Sequence, residues 1–392
     1  MKTLIFILLS VSISYAQILP KKLLIYYGIP SGINGATTTS QAASHFSQYD
    51  YVVWGNLIDI ASHQNYLQSK QVFDLIKSNN NSIKMFGYLY IGLGNPTLTE
   101  VPDANLLSRI QSIKNYGFDG VLFDLCGTSD GCTAQRLRTA VNFAHSIGLS
   151  VIGNTGDPIE ILHPSKETPQ QNSPFLPTDF YLYESFLVML NNYHTLSEFD
   201  YWFQTKSPNI YLNRLNGSRQ EIQILSTTTV GVDNTTYNEN KFFFSWFGAA
   251  LNNHIATGWG ELYFGANNVS PFRNRPQLTN VGTNFTAPIA RSLDKFYNYR
   301  KTNLGQLWIN TSTKKYGFAL LNKTTSLEGG NWFDNTIWDT YQVPSFINDV
   351  IIRKHFQPVF IPANSNTAVC KSILIESQSI FMINSNAKLD CK

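Results

Sequence analysis

The sequence predicts an α/β chain: a TIM (β/α)8 barrel followed by a small, sandwich-like β module at the C-terminus. Two observations predict it. Short runs that are apolar throughout alternate with amphipathic helical stretches, the pattern of parallel strands covered on both faces. Eight such units fit into roughly 280 residues, the size of one barrel. An open doubly wound sheet is the competing architecture, and it is marked by a glycine-rich phosphate loop after the first strand. The corresponding stretch here, YGIPSGING, is interrupted by Pro30 and no matching acid follows, so it reads as an ordinary loop.

The strands are expected, in order, at 23–29 (LLIYYGI), 49–55 (YDYVVWG), 83–92 (IKMFGYLYIG), 118–124 (FDGVLFD), 149–154 (LSVIGN), 179–185 (DFYLYES), 221–227 (EIQILST) and 261–266 (ELYFGA). Between them, Leu67, Val72, Leu75 and Ile76 recur at helical spacing, as do Leu106, Leu107, Ile110 and Ile113, and Leu137, Val141 and Ala144. Gly117 and Gly148 stand at the C-terminal stops of the second and third of these helices. Residues 241–257 read as a buried, aromatic-rich helix, and 288–300 as a last helix. After about Asn303 helical periodicity fades and strand-like runs alternate with polar turns, as in SILIESQSIFMIN. The expected domains are therefore a leader at 1–16, the barrel at 17–302 and the β module at 303–392.

Composition narrows the function classes. The chain has 392 residues, 43% of them hydrophobic and 14% charged, enough apolar surface for a large core. Its formal net charge is +3 and its basic doublets are isolated, so no nucleic-acid face is expected. The first residues, MKTLIFILLSVSISYA, carry a positive start, an apolar stretch short of a bilayer span and a Ser14-Tyr15-Ala16 cleavage signal. They read as a secretory signal peptide, with a retained anchor as the alternative. The mature chain is then extracellular, with no membrane partner. Sequons at Asn80, Asn216, Asn234, Asn268, Asn284, Asn310 and Asn322 mark a candidate glycoprotein. Four cysteines, Cys126, Cys132, Cys370 and Cys391, allow three disulfide connectivities, of which Cys126–Cys132 with Cys370–Cys391 closes the shortest loops. Their spacing fits no zinc site, and no metal or cofactor motif is present.

The chemistry is expected at strand ends. Alternation along the fourth strand puts Gly120, Leu122 and Asp124 on one face, with Asp124 last. The sixth does the same with Phe180, Leu182 and Glu184. Two strands thus end in carboxylates at the rim where barrels carry their sites. Glycoside hydrolysis needs such a pair, one kept protonated by a low-dielectric mouth. The structural alternative is that these acids cap helices or pair with Arg136 or Arg138. Asp157 and Glu160 are reserve acids. Asn154 closes the fifth strand as a sugar-binding amide or a turn residue. Tyr27, Tyr88 and Tyr90 near strand ends, Trp54 and Trp259 as stacking platforms, and His63 after the second strand complete the candidate substrate-binding set.

The motifs IYYGIPSGING, YDYVVWG, FGYLYIG, GFDGVLFD, HSIGLSVIGN and DFYLYES, in this order over about 22–190, resemble secreted proteins of glycoside hydrolase family 114 (endo-α-1,4-galactosaminidases) and their spherulin-like relatives. The resemblance implies a TIM barrel that cleaves an amino-sugar polysaccharide by endo-action without a cofactor. It implies Asp124 as nucleophile or charge stabiliser and Glu184 as general acid/base, or the two exchanged. Many relatives carry a second acid directly after the strand Asp, whereas Leu125 and Cys126 stand here. That departure leaves a second expectation open: a carbohydrate-binding or coat barrel without turnover.

Overall fold

The computed structural model describes residues 18–55, 57–93, 101–162, 173–199, 222–231, 235–286, 291–292 and 296–391. The expected leader and the sequons at Asn216 and Asn234 lie outside the described residues. In chain order the barrel region contains β1 (Lys21–Tyr26), α1 (Thr39–Phe46), β2 (Tyr51–Trp54), α2 (Tyr66–Asn79), β3 (Lys84–Tyr90), α3 (Asp103–Tyr116), β4 (Gly120–Asp124), α4 (Ala134–Ser146), β5 (Ser150–Gly153), α5 (Ile159–Leu162) and β6 (Phe180–Tyr183). A hairpin of β7 (Val188–Met189) and β8 (Asn192–Tyr193) follows, then α6 (Leu196–Phe199), β9 (Gln223–Thr227), α7 (Glu239–Leu251) and β10 (Ala256–Gly258). The strands β1-β10-β9-β6-β5-β4-β3-β2 close into an all-parallel barrel, as the apolar runs predict.

Local chemistry sets the ends of these elements. Thr38, Thr133 and Asn238 each accept a backbone N–H from the first turn of α1, α4 and α7, satisfying donors the helix cannot. Gly117 ends α3 in the left-handed region at φ 111°, where a side chain would be strained.

The period of two along each strand sorts side chains into two cores. Leu23, Ile25, Tyr51, Val53, Phe86, Leu122, Ile152, Phe180, Leu182, Leu225 and Ala256 fill the barrel interior. Their strand neighbours, among them Leu24, Trp54, Leu89, Val121, Phe123 and Tyr183, pack outward against the helices.

The eighth strand is not where the sequence places it. It is Ala256–Gly258, paired with β1 and β9. Residues 262–265 instead form a tight turn, with Tyr263 and Phe264 both left-handed. Three residues of small volume carry too little apolar signal to stand apart from the preceding helix, which ends at Leu251.

Beyond the barrel, β11 (Arg291–Ser292), β12 (Tyr297–Lys301), β13 (Gly305–Asn310) and β14 (Lys315–Leu320) form an antiparallel sheet. This sheet crosses the expected boundary at 303, and β12 occupies part of the stretch read as a helix over 288–300. Leu307 and Ile309 turn one face of it into the barrel's outer core. The remaining strands are β15 (Lys323–Thr325), β16 (Gly330–Asn331), β17 (Asp349–Ile352), β18 (Val359–Ile361), β19 (Ala368–Cys370), β20 (Ser372–Ile375), β21 (Phe381–Ile383) and β22 (Leu389–Cys391). They pair in parallel, β15-β17-β20, β16-β18-β21 and β19-β22. The module is built mainly of strands, as expected, but they pair in parallel rather than as a sandwich: the chain winds in coils of roughly 21–29 residues, each lying on the one before. Val350, Ile352, Val359, Ile361 and Ala368 line its buried interior beside Trp332 and Trp338. Leu374, Ile375, Met382 and Ile383 of the last coil are exposed.

Interior packing makes Gly120 a sensitive position. A Cβ there would stand 2.4 Å from the Phe86 ring and 2.5 Å from the Ser150 carbonyl oxygen. Gly120→Ala is expected to destabilise the protein by about 1–3 kcal/mol through overpacking. The check is a lower denaturant midpoint at unchanged slope.

Candidate active site

The upper ends of the barrel's interior files converge on one place. Above Leu122 comes Asp124, above Ile152 comes Asn154, above Leu182 comes Glu184, and above Ile25 and Phe86 come Tyr27 and Tyr88. These five polar groups form one connected cluster. Tyr88 donates its hydroxyl to Asp124 Oδ2 at 2.8 Å, and the Leu125 N–H donates to Oδ1 at 3.0 Å. Asn154 is buried, donates Nδ2 to the Leu182 carbonyl at 3.2 Å, and also hydrogen-bonds Glu184. The Tyr27 ring lies 4.9 Å from that of Tyr88, and its hydroxyl feels the charge of both carboxylates. Gly55, the next interior position above Val53, leaves room for it: a Cβ there would stand 2.4 Å from the Tyr27 ring.

Electrostatics distinguishes the two acids. Glu184 is open to solvent at the mouth yet surrounded by protein, and this enclosure together with the Asp124 charge pushes its carboxyl up to about 7. Its bond with Asn154 opposes the shift without cancelling it. Asp124 is also raised by burial, but the Tyr88 hydroxyl and the Leu125 N–H both favour its anion. Among the described residues no ion pair involves either acid: Arg136 lies against Asp103 and the carbonyls of Ile91 and Val101 instead.

The backbone turns sharply behind both carboxylates. Leu125, directly after Asp124, has φ 49°, and Ser185, directly after Glu184, has φ 56°. Each costs roughly 1–2 kcal/mol relative to glycine. A cavity of about 250 Å³ opens beside Glu184, walled by Asn154, Tyr181, Tyr183, Met189 and His194. Met189 and His194 are supplied by the β7–β8 hairpin and the residue after it. His194 is buried, which pushes its imidazole below its usual value. No motif marks the hairpin in the sequence; it takes its place because its turn residues, Leu190 and Asn191, are both left-handed.

The other sequence candidates lie elsewhere. Trp54 faces outward and is clamped edge-on by Phe46, Phe73 and Phe118, so it is core rather than a platform. Trp259 is buried against Tyr237 and Phe242. Tyr90 is level with Asp124 in the sheet but only 4% exposed, too covered to meet a sugar. His63 accepts the Asn65 N–H within its own turn. Glu160 accepts from Ser129 and Thr155, and Asp157 caps α5, so both reserve acids hold loops. Cys126 and Cys132 are both buried, and the sulfurs of Cys370 and Cys391 lie 3.0 Å apart.

No protein-family model matches the sequence, and no curated protein does. Among solved structures, the type I 3-dehydroquinate dehydratase of Clostridium difficile is 13% identical, with a TM-score of 0.37 over 62% of this chain and 85% of that one. The glycoside hydrolase domain of PelA from Pseudomonas aeruginosa is 15% identical, with a TM-score of 0.34 over 61% and 95%. The carboxyl transferase domain of Rhizobium etli pyruvate carboxylase is 9% identical, with a TM-score of 0.38 over 63% of this chain and 40% of that one. Likeness this low, to three different chemistries, says nothing of the reaction.

Carboxyl-resolved NMR is expected to show Glu184 titrating near 7. Asp124→Asn should lower that midpoint by removing a neighbouring charge, and Asn154→Ala should raise it by removing a donor to the anion. Because the folded chain keeps a proton that the unfolded chain releases, this group's contribution to stability declines as pH rises from 4.5 to about 7. Glu184→Gln should therefore gain stability relative to the parent as pH rises through that window, read by denaturant unfolding at pH 4 and pH 8.

Proposed function

We propose that the chain is a secreted glycoside hydrolase that cleaves within an extracellular polysaccharide, with amino-sugar polymers as the first substrate class. The observation that carries the reading is the pairing of Asp124 and Glu184 across one tyrosine- and asparagine-linked cluster, with Glu184 held to about 7. Glycosidic cleavage needs a carboxylic acid to protonate the leaving oxygen and a carboxylate facing the developing oxocarbenium ion. Glu184 suits the first role, since it keeps its proton near neutrality. Asp124 suits the second, as two donors favour its anion, and Tyr88 holds it in place. Tyr27 adds an aromatic wall and a hydroxyl beside both acids.

A sugar-binding barrel without turnover is the second reading. It rests on Leu125 and Cys126, which stand where a further acid would be expected.

Release of soluble oligosaccharides from acetylated and deacetylated galactosamine polymers, chitosan and neutral glucans decides between them. Glu184→Gln and Asp124→Asn, each checked for folding by circular dichroism, should lose roughly 10²–10⁴-fold in rate. The parent activity should fall above about pH 7, as Glu184 releases its proton. Binding of a polymer with no release, unchanged in both variants, would establish the second reading instead.

A further inference from the structure

A second cavity, of about 340 Å³, lies outside the barrel, where β14 meets the first coils of the C-terminal module. Its floor is made by small residues. On the strand face turned away from the barrel, β14 presents Gly317 opposite Trp308 and Ala319 opposite Gln306. The Trp308 indole lies against Gly317: a Cβ there would stand 2.9 Å from Cζ2 and 3.1 Å from Nε1. Trp308 lines the cavity, is 3% exposed, and among the described residues its Nε1–H has no hydrogen-bond partner. A buried indole N–H left unpaired costs about 1–3 kcal/mol and calls for an acceptor.

The walls supply complementary groups. Thr325 and Ile351 close one side. Asp339 accepts the Thr325 N–H through Oδ1 at 2.8 Å. Lys323 and Arg353 stand at the exposed rim; Arg353 has Glu376 at 3.9 Å and feels the Asp339 charge, and Lys323 feels that of Asp349. The lining therefore offers the Trp308 N–H, threonine hydroxyls and two cations against a single carboxylate, beside a floor of small residues.

We propose that this cavity is a saccharide-binding site for a uronate unit, with Arg353 and Lys323 at the sugar carboxylate, Asp339 at a hydroxyl and the Trp308 N–H at a ring or hydroxyl oxygen. The charge balance selects the class. The lining carries two cations against one carboxylate, so a sugar carboxylate supplies a counter-charge that a neutral sugar lacks, and a cationic amino sugar meets like charge at the rim. The site is separate from the barrel mouth and does not depend on turnover there.

Calorimetric titration of the full chain carrying Glu184→Gln tests it, with galacturonate trisaccharide as probe and neutral galactotriose and inorganic phosphate as controls. The trisaccharide should bind at least about tenfold more tightly than either control. Arg353→Gln on the rim and Ala319→Leu in the floor should each weaken it about tenfold, the first through lost charge-assisted hydrogen bonds, the second by filling the space. Trp308→Phe, which keeps the ring and removes the N–H, should weaken it by a smaller factor. Absence of binding, equal affinity for galactotriose or for phosphate, or an affinity that Arg353→Gln leaves unmoved would each overturn the proposal.

Discussion

Closure of eight parallel strands is the constraint on which everything else in this molecule depends. Once the sheet closes, each strand must alternate between an enclosed interior and the helix layer. Most interior files fill with Leu, Ile, Val, Phe or Tyr until they reach the rim, where space opens and water returns. A polar residue can sit at that level without being stranded. Asp124, Asn154 and Glu184 are there because each stands two residues above an interior apolar side chain. A slip of one residue would exchange Asp124 for Phe123 and seal the mouth.

The same closure explains the behaviour of the acids. Neighbouring strands bring Asn154 between the two carboxylates, and Tyr88 of β3 beside Asp124 of β4. The mouth is narrow enough for one negative charge to be felt by the next, so the cluster does not readily hold two. Unequal hydrogen bonding then breaks the symmetry: Asp124 receives a phenol and an amide N–H, and Glu184 receives one carboxamide. The difference in proton affinity comes from neighbours, not from Asp versus Glu.

Much of this is legible in the sequence, because apolar runs ending in an acid are a direct image of an interior file reaching the rim. Seven strands follow from the apolar runs, and period-two counting puts Asp124 and Glu184 at the rim; Tyr27, Tyr88 and Asn154 are singled out only by their place near strand ends. The same counting, carried through, places Trp54 outward, since Val53 and Gly55 are its interior neighbours. The eighth strand is hidden because Ala-Thr-Gly buries little area of its own. The turns at Leu125 and Ser185 are invisible, since nothing in a leucine or serine announces a left-handed backbone. His194 and Met189 reach the mouth through a hairpin whose turn, Leu190-Asn191, lacks the usual glycine. The coils of the C-terminal module escape for another reason: strands of two to four residues alternate alike in a sandwich and a solenoid, and only pairing tells them apart.

Stacked coils have a directional mechanics that a barrel lacks. Each coil rests on its neighbours, and among the described residues β20, β21 and β22 pair with β17, β18 and β19 alone. Val369 and its neighbours face Asp390 and its own across one ladder, and Cys370 lies level with Cys391. A covalent bond between those two sulfurs would act as a rivet through the final layer. Resistance of this end to proteases and pulling would then be set by the oxidation state of the surroundings.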